Sequence, residues 1–122
     1  MIEIDDQQLD VLLDEDVGGP VVMLNLLRFR LNGGWETYQR YADALSVAIN
    51  ARYGLSVIYL GEGGSALVAE DGQAWDAVVL VRYPSRRAFV DMIRDPEYRA
   101  IAHLRSEALL ESVLQPTTPI GA

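Results

Sequence analysis

The sequence predicts an α+β fold of ferredoxin-like type, an antiparallel four-stranded sheet with its helices on one face. Three observations predict it. Apolar periodicity switches along the chain in the order β-α-β-β-α-β, after a short leading helix. Glycine, proline and asparagine clusters punctuate the segments where the order requires turns. Two of the strands are apolar at consecutive positions, and so carry apolar residues on both faces.

The elements follow in order. Residues 6–16, DQQLDVLLDED, suit a short helix, with Asp6 as cap and Leu9, Leu12 and Leu13 as its apolar stripe. Gly18-Gly19-Pro20 ends it, and the strand VVMLNLLRF runs from about Val21 to Phe29, closed by Asn32-Gly33-Gly34. WETYQRYADALSVAINARYG is helical, with Tyr38, Tyr41, Ala42, Leu45, Ala48, Ile49 and Arg52 on one face and Gly54 as its C-terminal cap. LSVIYLGEG is a second strand and SALVAEDGQ its turn-rich continuation; GEGGS is expected to be a hairpin turn, since it has neither the Lys-Ser/Thr nor the helix of a phosphate loop.

AWDAVVLVRYP is a third strand, β-branched at its centre and stopped by Pro84. Ser85 caps the next helix, which buries Ala88, Phe89 and Met92, and Asp95-Pro96 restarts it. Tyr98, Ile101, Ala102, Arg105, Ala108 and Leu109 then share a face, and ESVLQP is a short last strand. One domain is expected, divided into an extension (1–19), a core (20–116) and a tail (117–122). A sheet apolar on both faces needs covering on the side without helices, which predicts a homodimer packed sheet to sheet.

Composition removes several classes of function. The 122 residues include no cysteine, which excludes disulfides, thiolate catalysis and thiolate metal sites and fits a cytoplasmic location. The acidic start, MIEIDDQQLD, lacks a signal-peptide pattern, and no apolar run is long enough to cross a bilayer. A net charge of −8 argues against nucleic acid and anionic membranes as partners, but not against a small anion held by a local arginine. His103 is the one histidine; it falls about 140° from the stripe of its helix, so a haem ligand, a Ser-His-Asp triad and a histidine metal cluster are not expected. No cofactor is expected.

Asn25 stands in the most apolar strand, on a face with Met23 and Leu27. A buried amide must find partners, and this one can hold a carbonyl or an enolate oxygen as readily as it can bond a neighbouring strand. Arg105 lies at the centre of an apolar stripe. It requires a carboxylate, carbonyl oxygens or an anionic ligand, with Asp76 and Glu107 as internal alternatives. Asp76 shares a strand face with Val78, Leu80 and Arg82, where a carboxylate raised in pKa can serve as a base, or can simply face solvent. Tyr38, Tyr41, Tyr59, Tyr83 and Tyr98 are many phenols for one small domain; they suit either core packing or a pocket for an aromatic molecule. The candidate catalytic set is Asn25, Arg105 and Asp76. The candidate substrate set is Tyr38, Tyr41, Trp75, Arg82, Tyr83 and Tyr98.

The strand with Asn25, Trp75-Asp76 opening a strand, Tyr83-Pro84-Ser85 closing it, then Phe89, Asp95-Pro96-Glu97-Tyr98 and Arg105 form an ordered set over some ninety residues. In this the chain resembles the family called domain of unknown function 1330, within the dimeric α+β barrels. The resemblance implies that barrel and a homodimer but no settled activity, since related barrels include cofactor-free monooxygenases, isomerases, haem-dependent enzymes and plain binding domains. Two readings follow: a cofactor-free enzyme, isomerase- or monooxygenase-like, acting on a small oxygenated molecule, or a non-catalytic dimeric module binding a small organic anion. An enzyme would bring Asn25 and Arg105 to one cavity with an acid or base beside them. A binding module would lack that group. The leading helix and the Gly61-Glu62-Gly63-Gly64 segment depart from the expected pattern and lie where either could shape a pocket mouth.

Overall fold

A computed structural model of the chain describes residues 3–121. Its elements are α1 (Asp6–Asp14), β1 (Val21–Phe29), α2 (Gly34–Ala48), α3 (Asn50–Tyr53), β2 (Ser56–Glu62), β3 (Ala77–Tyr83), α4 (Arg86–Arg94), α5 (Pro96–Ala108) and β4 (Leu109–Thr117). The sheet has the order β2-β3-β1-β4 with every neighbouring pair antiparallel, so the chain has the ferredoxin-like β-α-β-β-α-β topology with a leading helix. Each helical position is split in two.

Local chemistry accounts for the breaks. Asp5, rather than the expected Asp6, caps α1: its side chain accepts from the Gln8 amide while the Gln8 side chain accepts from the Asp5 amide. The second helical segment is interrupted at Ile49, which is fully buried, and α3 closes on Gly54 in the left-handed conformation. Ser85 caps α4 through the Ala88 amide, and Asp95 caps α5 with Pro96 as its first residue. Asp95 also receives the Tyr53 hydroxyl at 2.5 Å and Arg52 at 2.7 Å, which ties α3 to the start of α5. The Tyr53 hydrogen bond, followed by the Glu97 amide and Arg52, holds the Asp95 carboxyl below the usual range.

The last strand is longer than expected and starts earlier. Leu109, assigned by periodicity to the helix stripe, is already in β4, which leaves no connecting residue after Ala108. The Ala108 carbonyl accepts from the Arg30 amide at 2.9 Å, and Gly34 packs so closely on that carbonyl that a Cβ there would collide with it. The expected hairpin at GEGGS is a longer excursion, residues 63–76. The Gly63 amide bonds the Asp76 carbonyl at 2.8 Å and closes the base of the loop, and the Trp75 carbonyl occupies the space of a Gly63 Cβ. Arg28 fastens the loop to the sheet. Its guanidinium donates to the Gly72 and Ala74 carbonyls, pairs with Glu111 at 2.8 Å and stacks over Trp75 at 5.0 Å.

Register decides which side chains meet the helices. Val21, Met23, Asn25 and Leu27 face them and are buried; Val79 lies opposite Asn25 on β3 and Leu114 on β4. The other face carries Val22, Leu24 and Leu26, paired with Arg82, Leu80 and Val78, and Val113 beside Leu26. Among the described residues no helix covers that second face, and its apolar side chains are only partly buried.

Candidate functional site

Between the helices and the sheet lies a cavity of about 930 Å³. β1 contributes Asn25, α2 Tyr38 and Tyr41, β3 Tyr83, and α5 Tyr98 and Arg105. Helical geometry explains the grouping: Tyr38 and Tyr41 are one turn apart and Tyr98 and Arg105 two, so each helix presents its pair inward on one face. The apolar walls include Val79, Val81, Phe89, Met92 and Leu114. At the edge strand β2, Val57 and Leu60 line the cavity while staying more than half exposed (54% and 56%), so the cavity is open on that side.

Asn25 and Arg105 meet there. One Arg105 guanidinium nitrogen donates to Asn25 Oδ1 at 3.2 Å, with the two residues 6% and 8% exposed, and Arg105 has further interactions besides. The neighbour that β1 supplies is thus an amide, where the sequence offered Asp76 and Glu107. Asn25 Nδ2 in turn donates to the Met23 and Val79 carbonyls at 3.4 Å each, long contacts that tie the amide to its own strand and to β3.

The tyrosines form a continuous aromatic wall. The rings of Tyr38 and Tyr41 meet edge to face at 5.5 Å, those of Tyr41 and Tyr98 at 6.3 Å, and Tyr83 packs edge-on against Phe89 at 5.0 Å. The Tyr41 and Tyr98 hydroxyls share a hydrogen bond of 2.9 Å. Burial raises the pKa of all four phenols, and that of Tyr41 well above its ordinary value; Arg105 pulls each of them the other way by a smaller amount. At physiological pH these groups are therefore protonated donors, not bases.

Trp35 was not among the sequence candidates, yet it lines the cavity at 41% exposure, its ring 5.4 Å from that of Phe29. Its place three residues before Tyr38, on the same helical face, was the available signal. Three candidates lie elsewhere. Asp76 is exposed and accepts the Phe29 amide at 2.9 Å, which makes it a brace at the end of β1. Trp75 is stacked under Arg28, and Arg82 is exposed on the open face of the sheet opposite Val22. None of these three borders the cavity. His103 is exposed and reaches the cavity only at its rim, as do the carboxylates of Glu3, Asp6, Glu36 and Asp43. Among the described residues no group of three or more His, Cys, Asp or Glu is placed to hold a metal ion, and no helix is long and apolar enough to cross a membrane.

The model of the family described as "Domain of unknown function (DUF1330)" matches residues 34–114. The chain belongs to this family. The matched span of the DUF1330 domain holds Arg105 and the four cavity tyrosines, whereas Asn25 precedes it. The crystal structure of the RPA0582 protein of Rhodopseudomonas palustris, described as of unknown function, is similar at 31% identity and a TM-score of 0.86, covering 99% of this chain and 98% of that one. A dimeric ferredoxin-like protein of unknown function from Jannaschia is similar at 10% identity and a TM-score of 0.63, over 83% of this chain and all of that one. One from Bacteroides fragilis, also described as dimeric, is similar at 12% identity and a TM-score of 0.54, over 80% and 94% of the two chains. No protein with a curated description matches the chain significantly.

Proposed function

We propose that this DUF1330 protein is a homodimeric small-molecule-binding protein, and that each subunit holds one oxygenated organic molecule in the cavity between helices and sheet. The observation that carries this reading is the convergence of Asn25, Arg105 and four buried tyrosines on one apolar space of about 930 Å³, within the range of ligand sites. The donors favour an oxygen acceptor at the Asn25–Arg105 end, and the aromatic walls favour a flat apolar body. A saturable site for the neutral dye N-phenyl-1-naphthylamine is expected, one per chain. Ala102→Trp, which fills the cavity wall, is expected to weaken the dye at least tenfold while the far-ultraviolet circular dichroism stays unchanged. Absence of saturable dye binding, or equal binding by the filled variant, would refute the assignment.

The same donors favour a catalytic reading in one respect. Oxyanion charge developing on an enolised substrate is what a guanidinium and phenols stabilise. The base would then have to come from the rim, where His103 and Glu36 stand, because the cavity interior is lined by donors that stay protonated.

The dimer is supported by the open sheet face. Val22, Leu24, Leu26, Val78, Leu80 and Val113 form a continuous apolar surface without helices over it, and two similar structures are described as dimeric. A second copy of the same face is the occupant that buries it. Leu24→Glu, opposite Leu80 at the centre of that face, is expected to convert a dimer into a monomer by light scattering at micromolar concentration. A monomeric parent protein would refute the assembly.

A further inference from the structure

The inner wall of the cavity carries a guanidinium and four phenols while its carboxylates stand at the exposed rim, and this asymmetry of charge bears on the chemical class of its occupant. Tyr38 and Tyr83 are more than nine-tenths buried and line the cavity, and among the described residues neither hydroxyl has a hydrogen-bond partner. Neither oxygen is sealed off by protein atoms, so both hydroxyls border open space. In the Tyr41–Tyr98 pair one hydroxyl donates to the other, which leaves the second proton free to point elsewhere. Arg105 adds a guanidinium to the same wall. Burial keeps the phenols protonated at physiological pH, so their donor character persists.

On the other side of the balance, Asn25 Oδ1 already accepts from Arg105. Asn50 Oδ1, on the cavity wall, is buried and without a partner. A protonated amine entering this space would bring a positive charge towards a guanidinium, with only neutral oxygens to accept from it. A carboxylate would accept from several groups at once, in a setting where charge-assisted hydrogen bonds are at their strongest.

We infer that the cavity selects flat aromatic or alicyclic carboxylates, and rejects amines of the same shape. The unpartnered phenols of Tyr38 and Tyr83 read the oxygens together with Arg105. The inference rests on the cavity being the ligand site proposed above, and deepens that reading by naming the class.

Displacement of the neutral dye by four naphthalenes of one outline tests it: 2-naphthoate, 2-naphthamide, 2-(aminomethyl)naphthalene and naphthalene itself. The expected order is naphthoate tightest, by at least tenfold over the aminomethyl compound, with the amide between them. Tyr38→Phe and Tyr83→Phe each keep the ring and lose the donor. Each is expected to weaken naphthoate about three- to tenfold and to leave naphthalene and the dye unchanged, which also shows that the variants are folded. If dye and naphthalene bind but naphthoate and the amine compete equally, the class is wrong while the cavity reading stands. If both phenylalanine variants bind naphthoate as the parent does, the tyrosines do not read the ligand and the inference is overturned. If neither dye nor naphthalene binds, the cavity reading fails and takes the inference with it.

Discussion

Raising the pH from about 10 to 12 is expected to unfold this protein cooperatively, with the loss of helical ellipticity and the appearance of tyrosinate absorbance in one transition. Tyr38, Tyr41, Tyr83 and Tyr98 are four of the six tyrosines, and burial raises the pKa of each above its ordinary value of 10.0. The sign follows from proton counting. Below about pH 10 neither the folded nor the unfolded chain has lost these phenolic protons, and stability does not depend on them. Above it the unfolded chain releases them while the folded chain retains them, so the folded state binds more protons and stability falls as pH rises. Each phenol that the fold keeps protonated costs about 1.4 kcal/mol of stability per pH unit, and Tyr41 and Tyr83, the furthest raised, sustain that loss over the widest window. Over two pH units such a loss is comparable with the lower end of a small domain's total stability, about 5–15 kcal/mol. Stepwise ionisation of the four phenols with full retention of ellipticity at pH 12 would contradict their burial.

The second large effect concerns Asn25 and Arg105. Asn25→Leu suits the apolar strand by propensity and burial, yet it is expected to destabilise the protein by about 1.5–3 kcal/mol, because it withdraws an acceptor from a buried guanidinium. Arg105→Met removes the charge and keeps much of the volume. The double variant is expected to be more stable than the sum of the two single losses predicts, by about 1 kcal/mol or more in a double-mutant cycle by urea denaturation. Strict additivity would mean that the 3.2 Å contact between them carries no coupling.

Much of this arrangement was legible in the residues. Ser85, Asp95-Pro96 and Gly54 marked helix ends that the structure has at those positions, because capping is a local matter of side-chain oxygens and left-handed backbone. Asn25, Arg105, Tyr38, Tyr41 and Tyr98 were identifiable because a polar group inside an apolar stripe is visible in periodicity alone. Asp76 and Arg82 show where that reasoning stops. Parity places both on one face of their strand, but only the register of β3 against β1 says which face holds Asn25, and register is set by the whole sheet. Asn25 lies opposite Val79, so Arg82, at even spacing from Val78, points away from the cavity. Trp75 was displaced by a long-range partner: Arg28, 47 positions earlier, captured both its ring and the carbonyls beside it. Ile49 broke a helix whose apolar stripe continued without interruption, and no local signal marked the break.

The junction at Ala108–Leu109 sets the chain's tolerance to changes of length. The loop over 63–76 is fastened at its base by Arg28 and the hydrogen bonds of Asp76 to Gly63, Leu27 and Phe29, so residues gained or lost at its tip leave the sheet undisturbed. Between Arg105 and β4 there is no such slack. A residue inserted there must either turn the guanidinium by about 100° around its helix or slip β4 by one position, which exchanges its two faces. Both the Arg30 amide and the close approach of Gly34 hold the Ala108 carbonyl in place and resist either adjustment. The depth of the charge in its cavity is thus geared to the register of the outermost strand, so the junction admits substitutions and the loop admits changes of length.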